Sequence, residues 1–142
     1  MLGRGPGSFT GLRVACSIAQ GIAYAHDLLI YPVSSLAAIA DFIYQQDLNQ
    51  KATVLAMIDA RMEEFYWGYF QRNQWINDEH VSNILQLDFQ DPSIIIAGLG
   101  INADITHQIV YPSAINMIRI VEMGQIIAID PEFIEPTYIR NV

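Results

Sequence analysis

GRGPGSFTGLR, residues 3–13, is a glycine-rich turn that leads directly into a helix. Its glycines and Pro6 favour a sharp change of chain direction, and Ser8 or Thr10 can accept hydrogen bonds from the first amides of a helix. We expect that helix over residues 11–25. One of its faces carries only small residues, which recur every four positions and would let another backbone approach closely: Gly11, Ala15, Ala19 and Ala23.

Strand and helix patterns alternate along the rest of the chain, and this alternation predicts an α/β fold. The expected helices run from Ser34 or Ser35 to Gln45 and from Pro112 or Ser113 to Met123. The expected strands cover residues 29–33, 53–58, 64–72, 94–97 and 109–111, with a further strand from Trp75. Residues 59–63 would connect two neighbouring strands, and the tail from Pro131 would be extended.

The composition is more apolar than that of a typical soluble domain. Of the 142 residues, 52% are apolar and only 15% are charged, against about 25% charged residues in soluble domains. The length fits about one domain. We expect a chain this apolar to bury a large surface against a partner, or against polypeptide outside this sequence.

The charge is acidic and unevenly distributed. The net charge is −8, yet residues 1–26 hold Arg4 and Arg13 and no acid. An acidic body repels phosphate backbones, which disfavours autonomous binding of nucleic acid. Any contact with RNA should therefore pass through a partner.

The single cysteine and the apolar runs bear on where the protein works. Cys16 has no partner for an internal disulfide, which favours a reducing compartment. The longest apolar run, residues 94–101, is far shorter than the ~20 residues that span a bilayer. Residues 14–25 resemble an export signal, but Gln20 and Gly21 interrupt it. We therefore expect a cytoplasmic protein without a membrane anchor.

The glycine-rich turn has two interpretations. Loop amides at a helix N-terminus form an anion site, to which Arg4 and Arg13 would add charge. However, no Lys-Ser/Thr pair follows the glycines, as it does in a Walker motif, and the G-x-G-x-x-G spacing of a dinucleotide site is absent. The other interpretation is structural, because glycines also permit a tight turn and close packing.

The remaining polar groups form no recognisable catalytic set. His26, His80 and His107 are too dispersed to indicate a metal cluster. Ser8 lacks the G-x-S-x-G context of a hydrolase nucleophile. The Asp-Ala-Arg stretch at residues 59–61 is either a turn held by an Asp–Arg pair or a binding loop that faces a cleft.

Four stretches together resemble the TsaB (YeaZ) family, which is needed for threonylcarbamoyladenosine formation in tRNA. They are Gly3-Arg4-Gly5-Pro6-Gly7-Ser8-Phe9-Thr10-Gly11-Leu12-Arg13, Gln20-Gly21, Ile58-Asp59-Ala60-Arg61-Met62 with Phe65-Tyr66-Trp67, and Glu135-Pro136-Thr137-Tyr138-Ile139-Arg140-Asn141. The resemblance implies an α/β fold of the actin-like ATPase type, with two ribonuclease-H-like lobes. Family members begin with further strands and a helix before the glycine loop. The chain thus resembles an N-terminally truncated member, with residues 1–50 as a remnant of the first lobe and residues 51–142 as the second.

The resemblance also implies a function. Family members are non-catalytic scaffolding subunits that pair with the TsaD transferase for modification of tRNA position 37, and the ATPase TsaE joins the larger complex. ATP and metal are then expected on the partner subunit, tRNA is met only indirectly, and a homodimer is a further option. The glycine-loop motif comprises Gly5, Pro6, Gly7, Ser8, Phe9, Thr10 and Gly11. Contact with TsaD is expected through the helix that follows it, at Leu12, Ala15, Cys16, Ala19 and Ala23.

Two other functions remain as alternatives. Relatives labelled M22 glycoproteases raise the alternative of a metallopeptidase, although the sequence shows neither an activated water nor a nucleophile. The second alternative is a nucleotide-binding module whose glycine loop holds a phosphate.

Overall fold

The computed structural model describes residues 1–46, 51–84, 87, 89–102 and 104–139. Within these ranges the strands are β1 (Leu2–Gly5), β2 (Pro32–Ser34), β3 (Thr53–Arg61), β4 (Glu64–Phe70), β5 (His80–Asn83), β6 (Ile94–Leu99) and β7 (Gln108–Ile109). The helices are α1 (Phe9–Ala25), α2 (Ser35–Gln46) and α3 (Ala114–Glu122), and a short 3-10 turn (Pro131–Phe133) opens the tail. The predicted α/β class is confirmed.

The strands form two sheets. β1 pairs in parallel with β2, while the other five strands form a mixed sheet in the order β5-β4-β3-β6-β7. β3, β4 and β5 are an antiparallel meander, whereas β6 lies parallel to β3, with Thr53 opposite Ile94. The strand expected at residues 94–97 is present as part of β6, which lies inside the sheet between β3 and β7, with Ile94, Ile95 and Ile96 partly buried.

The largest core surrounds α2. Residues 35–44 of this helix are buried except for the partly exposed Phe42. They pack with Val54, Phe70 and Ile120 from β3, β4 and α3. Full burial of a Leu or Ile side chain stabilises a fold by ~1.5–3 kcal/mol, so α2 is a major source of stability. The core takes in four apolar side chains of α2 at helical spacing: Leu36, Ile39, Ala40 and Ile43.

A carboxylate lies inside this core and joins two helices. Asp41 of α2 is fully buried, and its Oδ2 accepts a hydrogen bond of 2.8 Å from Asn116 Nδ2 in α3. The same oxygen lies 3.3 Å from Nε of Arg119. Gln45 Nε2 donates to the other oxygen at 3.3 Å. Sequence reasoning missed this network because its members come from helices more than half the chain apart.

Two expected strands are placed differently. Instead of a strand over residues 29–33, the structure has β2 at Pro32–Ser34. Leu29 is 58% exposed, and Ile30 forms an isolated bridge to Ile129 of the tail. Leu28 and Leu29 thus face outward, whereas Ile30 and Val33 are buried.

The strand expected from Trp75 is also wrong. Trp75 is a buried anchor whose ring packs edge-on against Tyr44, and strand pairing resumes only at His80 in β5. β3 continues to Arg61, so the expected connection at residues 59–63 is shorter than predicted. The boundary between lobes at residue 50 stays a prediction.

Replacing Asp41 with alanine should lower the free energy of unfolding by about 2–4 kcal/mol. The buried Asn116 amide would lose its acceptor and Arg119 its counter-ion. Urea denaturation followed by circular dichroism measures the loss. Asp41→Asn keeps one acceptor oxygen and should lose less. The control is Glu122→Ala, at an exposed position of α3, and a loss for Asp41→Ala no larger than this control would contradict the role of the carboxylate.

Two glycines should respond in opposite ways to alanine. A Cβ at Gly98 of β6 would lie 1.7 Å from the carbonyl oxygen of Met57 in β3, so Gly98→Ala should destabilise the fold by about 3 kcal/mol. A Cβ at Gly21 of α1 would meet no atom within 4 Å, so Gly21→Ala should stabilise by about 0.5–1 kcal/mol through helix propensity. Melting temperatures of both variants test the pair. Equal shifts of the same sign would refute the assigned β3–β6 contact.

Candidate functional site

The glycine-rich turn joins β1 to α1 in a conformation that requires glycine at Gly5. Its φ is +99°, and a Cβ there would lie 2.7 Å from Cδ1 of Leu12. The Gly5–Pro6 peptide is cis. Ser8 caps α1, since its Oγ accepts a hydrogen bond of 3.3 Å from the Gly11 amide. These contacts support the structural interpretation of the glycines.

The tail passes over this turn and engages Arg4. The Thr137 amide donates to the Arg4 carbonyl at 2.8 Å, and the Arg4 guanidinium donates to Thr137 Oγ1 at 2.5 Å. The guanidinium also lies 3.1 Å from the carboxylate of Glu79, whose side chain is almost fully buried. Glu79 in turn accepts a hydrogen bond from Ser34 Oγ. Arg4 therefore links β1, the tail and the segment before β5.

Arg13 is engaged by the tail as well. Its Nε donates to the Tyr138 hydroxyl at 2.8 Å, and its guanidinium carbon lies 4.0 Å from the ring centre of Phe9. Arg4 and Arg13 could have added charge to an anion site at the turn. Both are instead bonded to the tail, and Arg13 also stacks on a ring of its own chain. This weakens the anion-site interpretation.

A cleft separates the glycine-rich turn from the connection between β3 and β4. It measures about 490 Å³ and is lined by Gly7, Ser8, Phe9, Thr10, Ile58, Asp59, Ala60, Arg61 and Tyr66. Asp59 Oδ1 accepts a hydrogen bond of 2.8 Å from the Arg61 amide, at the irregular end of β3. Arg61, Met62 and Glu63 all have positive φ. Residues 59–61 end β3, and the turn itself falls at Met62 and Glu63, so the turn predicted at residues 59–61 is displaced by the longer strand. Asp59, Ala60 and Arg61 do line a cleft, as the second interpretation expected.

α1 turns its small side chains toward its own chain. Cys16 and Ala23 are buried with Leu2 of β1, Ile30 and Ile134, and Ala15 and Ala19 pack at the edge of the same cluster. Leu12 is half-buried. Burial raises the pKa of the Cys16 thiol. Of the five residues expected to contact a partner, Cys16 and Ala23 are buried against the chain itself. Ala15 and Ala19 are only partly buried, and together with Ala23 they also line an apolar groove beside the helix. The partner contact of all five stays a prediction.

The adjoining side of α1 exposes a row of β-branched residues. Val14, Ile18 and Ile22 are 53%, 58% and 56% exposed. Beside the last two lies a largely apolar groove of about 370 Å³, which also includes Met1, Leu28 and Leu29. We call this row and groove the outer face of α1. The apolar bulk of Ile18 and Ile22 beside the small-residue stripe is visible in the sequence, and the four-residue spacing from Val14 to Ile22 signals the row.

The three histidines do not meet. His26 caps the C-terminus of α1, His80 stacks on Trp67, and His107 Nδ1 lies 2.9 Å from the Ile105 carbonyl. In the part of the chain that the structure describes, no group of three or more His, Cys, Asp or Glu side chains could hold a metal ion. Across the same residues, no helix is both long and apolar enough to cross a membrane.

Comparisons with known proteins point to tRNA threonylcarbamoyladenosine biosynthesis, through a TsaD family model and TsaB relatives. A family model described as "TsaD: tRNA N6-adenosine threonylcarbamoyltransferase" matches residues 1–105. The chain is 35% identical to the Haemophilus influenzae "tRNA threonylcarbamoyladenosine biosynthesis protein TsaB" over 98% of its own length and 68% of that protein's length. It is 45% identical to the Escherichia coli protein of the same description over 54% of this chain and 34% of the other.

Solved structures support the same assignment. "YeaZ from Pseudomonas aeruginosa" superposes with a TM-score of 0.78 at 28% identity, over 96% of this chain and 72% of that one. A protein "with similarity to peptidase YEAZ from Pseudomonas aeruginosa" gives a TM-score of 0.80 at 29% identity, over 97% and 71%. The α/β fold is therefore of the actin-like ATPase type. The chain belongs to the TsaB (YeaZ) family of tRNA threonylcarbamoyladenosine biosynthesis proteins.

Proposed function

We propose that the chain is a non-catalytic scaffolding subunit that pairs with the TsaD transferase during threonylcarbamoyladenosine modification at tRNA position 37. The observation that carries this proposal is the outer face of α1. Exposed apolar residues are normal when scattered, but a contiguous row beside an apolar groove marks an interaction surface. Completing the burial of each side chain in the row would contribute about 1 kcal/mol to association.

The chemistry of the described residues also favours scaffolding. Ser8 uses its hydroxyl to cap α1, and Cys16 is buried with a raised pKa, which disfavours the reactive thiolate. A transferase that acts on ATP-derived substrates needs clustered charges for phosphate and metal, and Arg4 and Arg13 are engaged with their own chain. We therefore assign ATP and metal to the partner subunit.

In this proposal the tRNA reaches the complex through the partner. The net charge of −8 opposes direct binding of a phosphate backbone. TsaE would join the assembly of this chain with TsaD, and the complex would work in the cytoplasm. A metallopeptidase activity finds no support in the described residues, because they offer no metal-ligand cluster.

Nucleotide binding is a second candidate, favoured by one observation. The cleft between the glycine-rich turn and residues 59–61 has Ser8 and Thr10 at the N-terminus of α1 on one side and Arg61 on the other. Calorimetric titration of ATP into the full chain tests this candidate, with Arg61→Ala as the variant that should weaken any binding. If the wild-type chain and Arg61→Ala bind ATP with the same heat and affinity, the nucleotide does not bind in this cleft.

Ile18→Glu should weaken association with the transferase subunit at least tenfold (on the order of 1.4 kcal/mol or more), because it places a charge in the middle of the outer face. Calorimetry with the purified subunit measures the affinity. The matched control is Ile76→Glu, which changes an isoleucine of similar exposure in the segment before β5. Both variants should keep the wild-type circular dichroism and melting temperature. Equal affinities for the two variants would contradict the proposed face.

A further inference from the structure

The apolar groove beside α1 opens at one end onto carboxylates. Ala23, Leu28 and Leu29 line the groove, and the same three residues line a neighbouring depression of about 340 Å³. This second depression also contains Tyr24, Asp27, Asp130 and Pro131. The outer face of α1 therefore continues without interruption into an acidic rim.

The rim consists of Asp27, Asp130 and Glu132, all exposed. None of these three forms a salt bridge with another described residue. Tyr24 and Asp130 line the same depression. Partial burial, Glu132 and Asp130, in that order of importance, raise the pKa of the Tyr24 phenol. The C-terminal end of α1 adds the negative end of its helix dipole at the same place.

Positive charge is scarce around this rim. No Lys or Arg lines either depression, and His26 at the C-terminus of α1 is the nearest titratable base in sequence. A second copy of the chain would bring its own three carboxylates to the contact. The cation it carries on α1 is Arg13, which already stacks over Phe9 and donates to Tyr138. A partner with free basic side chains therefore complements this surface better than a second copy does.

We propose that the groove and the acidic rim together receive a segment of a partner protein that presents apolar side chains followed by lysine or arginine. The apolar side chains fill the groove beside Ile18, Ile22 and Leu28, and the basic side chains face Asp27, Asp130 and Glu132. The rim thereby selects a basic partner over self-association. This inference rests on the proposed function for its location, since that function uses the same face of α1.

The test compares two variants of the full chain in association with the purified transferase subunit. Asp27→Asn with Glu132→Lys removes the negative charge of the rim while Asp130, which caps the 3-10 turn, stays in place. Glu63→Lys with Asp104→Asn makes the same change in net charge at exposed positions that line neither depression. Rate constants are measured at about 50 mM and about 500 mM NaCl, because salt screens exposed charges.

We expect the rim variant to lower the association rate constant about tenfold at low salt and less than about twofold at high salt, with the control close to wild type. Equal rates for the rim and control variants would overturn the inference while leaving the proposed function intact, provided that Ile18→Glu still weakens binding. If the wild-type chain does not bind the transferase subunit at all, both the inference and the proposed function are overturned. The wild-type chain could instead form a homodimer. If Ile18→Glu dissociates that homodimer and the rim variant leaves it intact, the face belongs to a second copy and the inference is overturned.

Discussion

The packing of the small side chains of α1 against β1 and the tail determines which surface this helix offers to other molecules. Cys16 and Ala23 are small enough for Leu2 and Ile134 to lie directly against them. Gln20 strengthens the same contact, because its Nε2 donates to the Pro131 carbonyl at 2.9 Å. Once Cys16 and Ala23 are covered, the 3.6-residue period leaves Val14, Ile18 and Ile22 exposed on a part of the helix surface that adjoins Ala15 and Ala19. The outer face is thus a consequence of internal packing.

The stretches that carry the family resemblance hold one another in place. The glycine-rich turn, the Asp-Ala-Arg end of β3 and the tail are far apart in sequence, yet the turn faces the end of β3 across a cleft and the tail bonds to Arg4 and Arg13. Most of their polar groups are engaged within the chain. This explains how a family can have distinctive motifs without a recognisable catalytic set among them.

Local features were predictable from the sequence because their physical causes are local. Ser8 and Ser113 cap helices where their positions before apolar periodic segments indicate caps, and Gly124 follows α3 with a positive φ of 75°. The central strand at residues 94–97 was predictable from its β-branched run. Trp75 was misassigned because an aromatic residue after a turn fits a strand and a core anchor equally well, and its contact with Tyr44 is long-range.

The sequence by itself determined the helices, most of the strands, the small-residue side of α1 and the motifs of the family. It could do so because capping, hydrophobic period and turn chemistry act within a few residues. Only the tertiary structure decided which side of α1 is covered, how Asp41 pairs with Asn116 and Arg119, and that an acidic rim adjoins the apolar groove. Each of these depends on residues from distant parts of the chain, whose proximity exists only after the fold has formed.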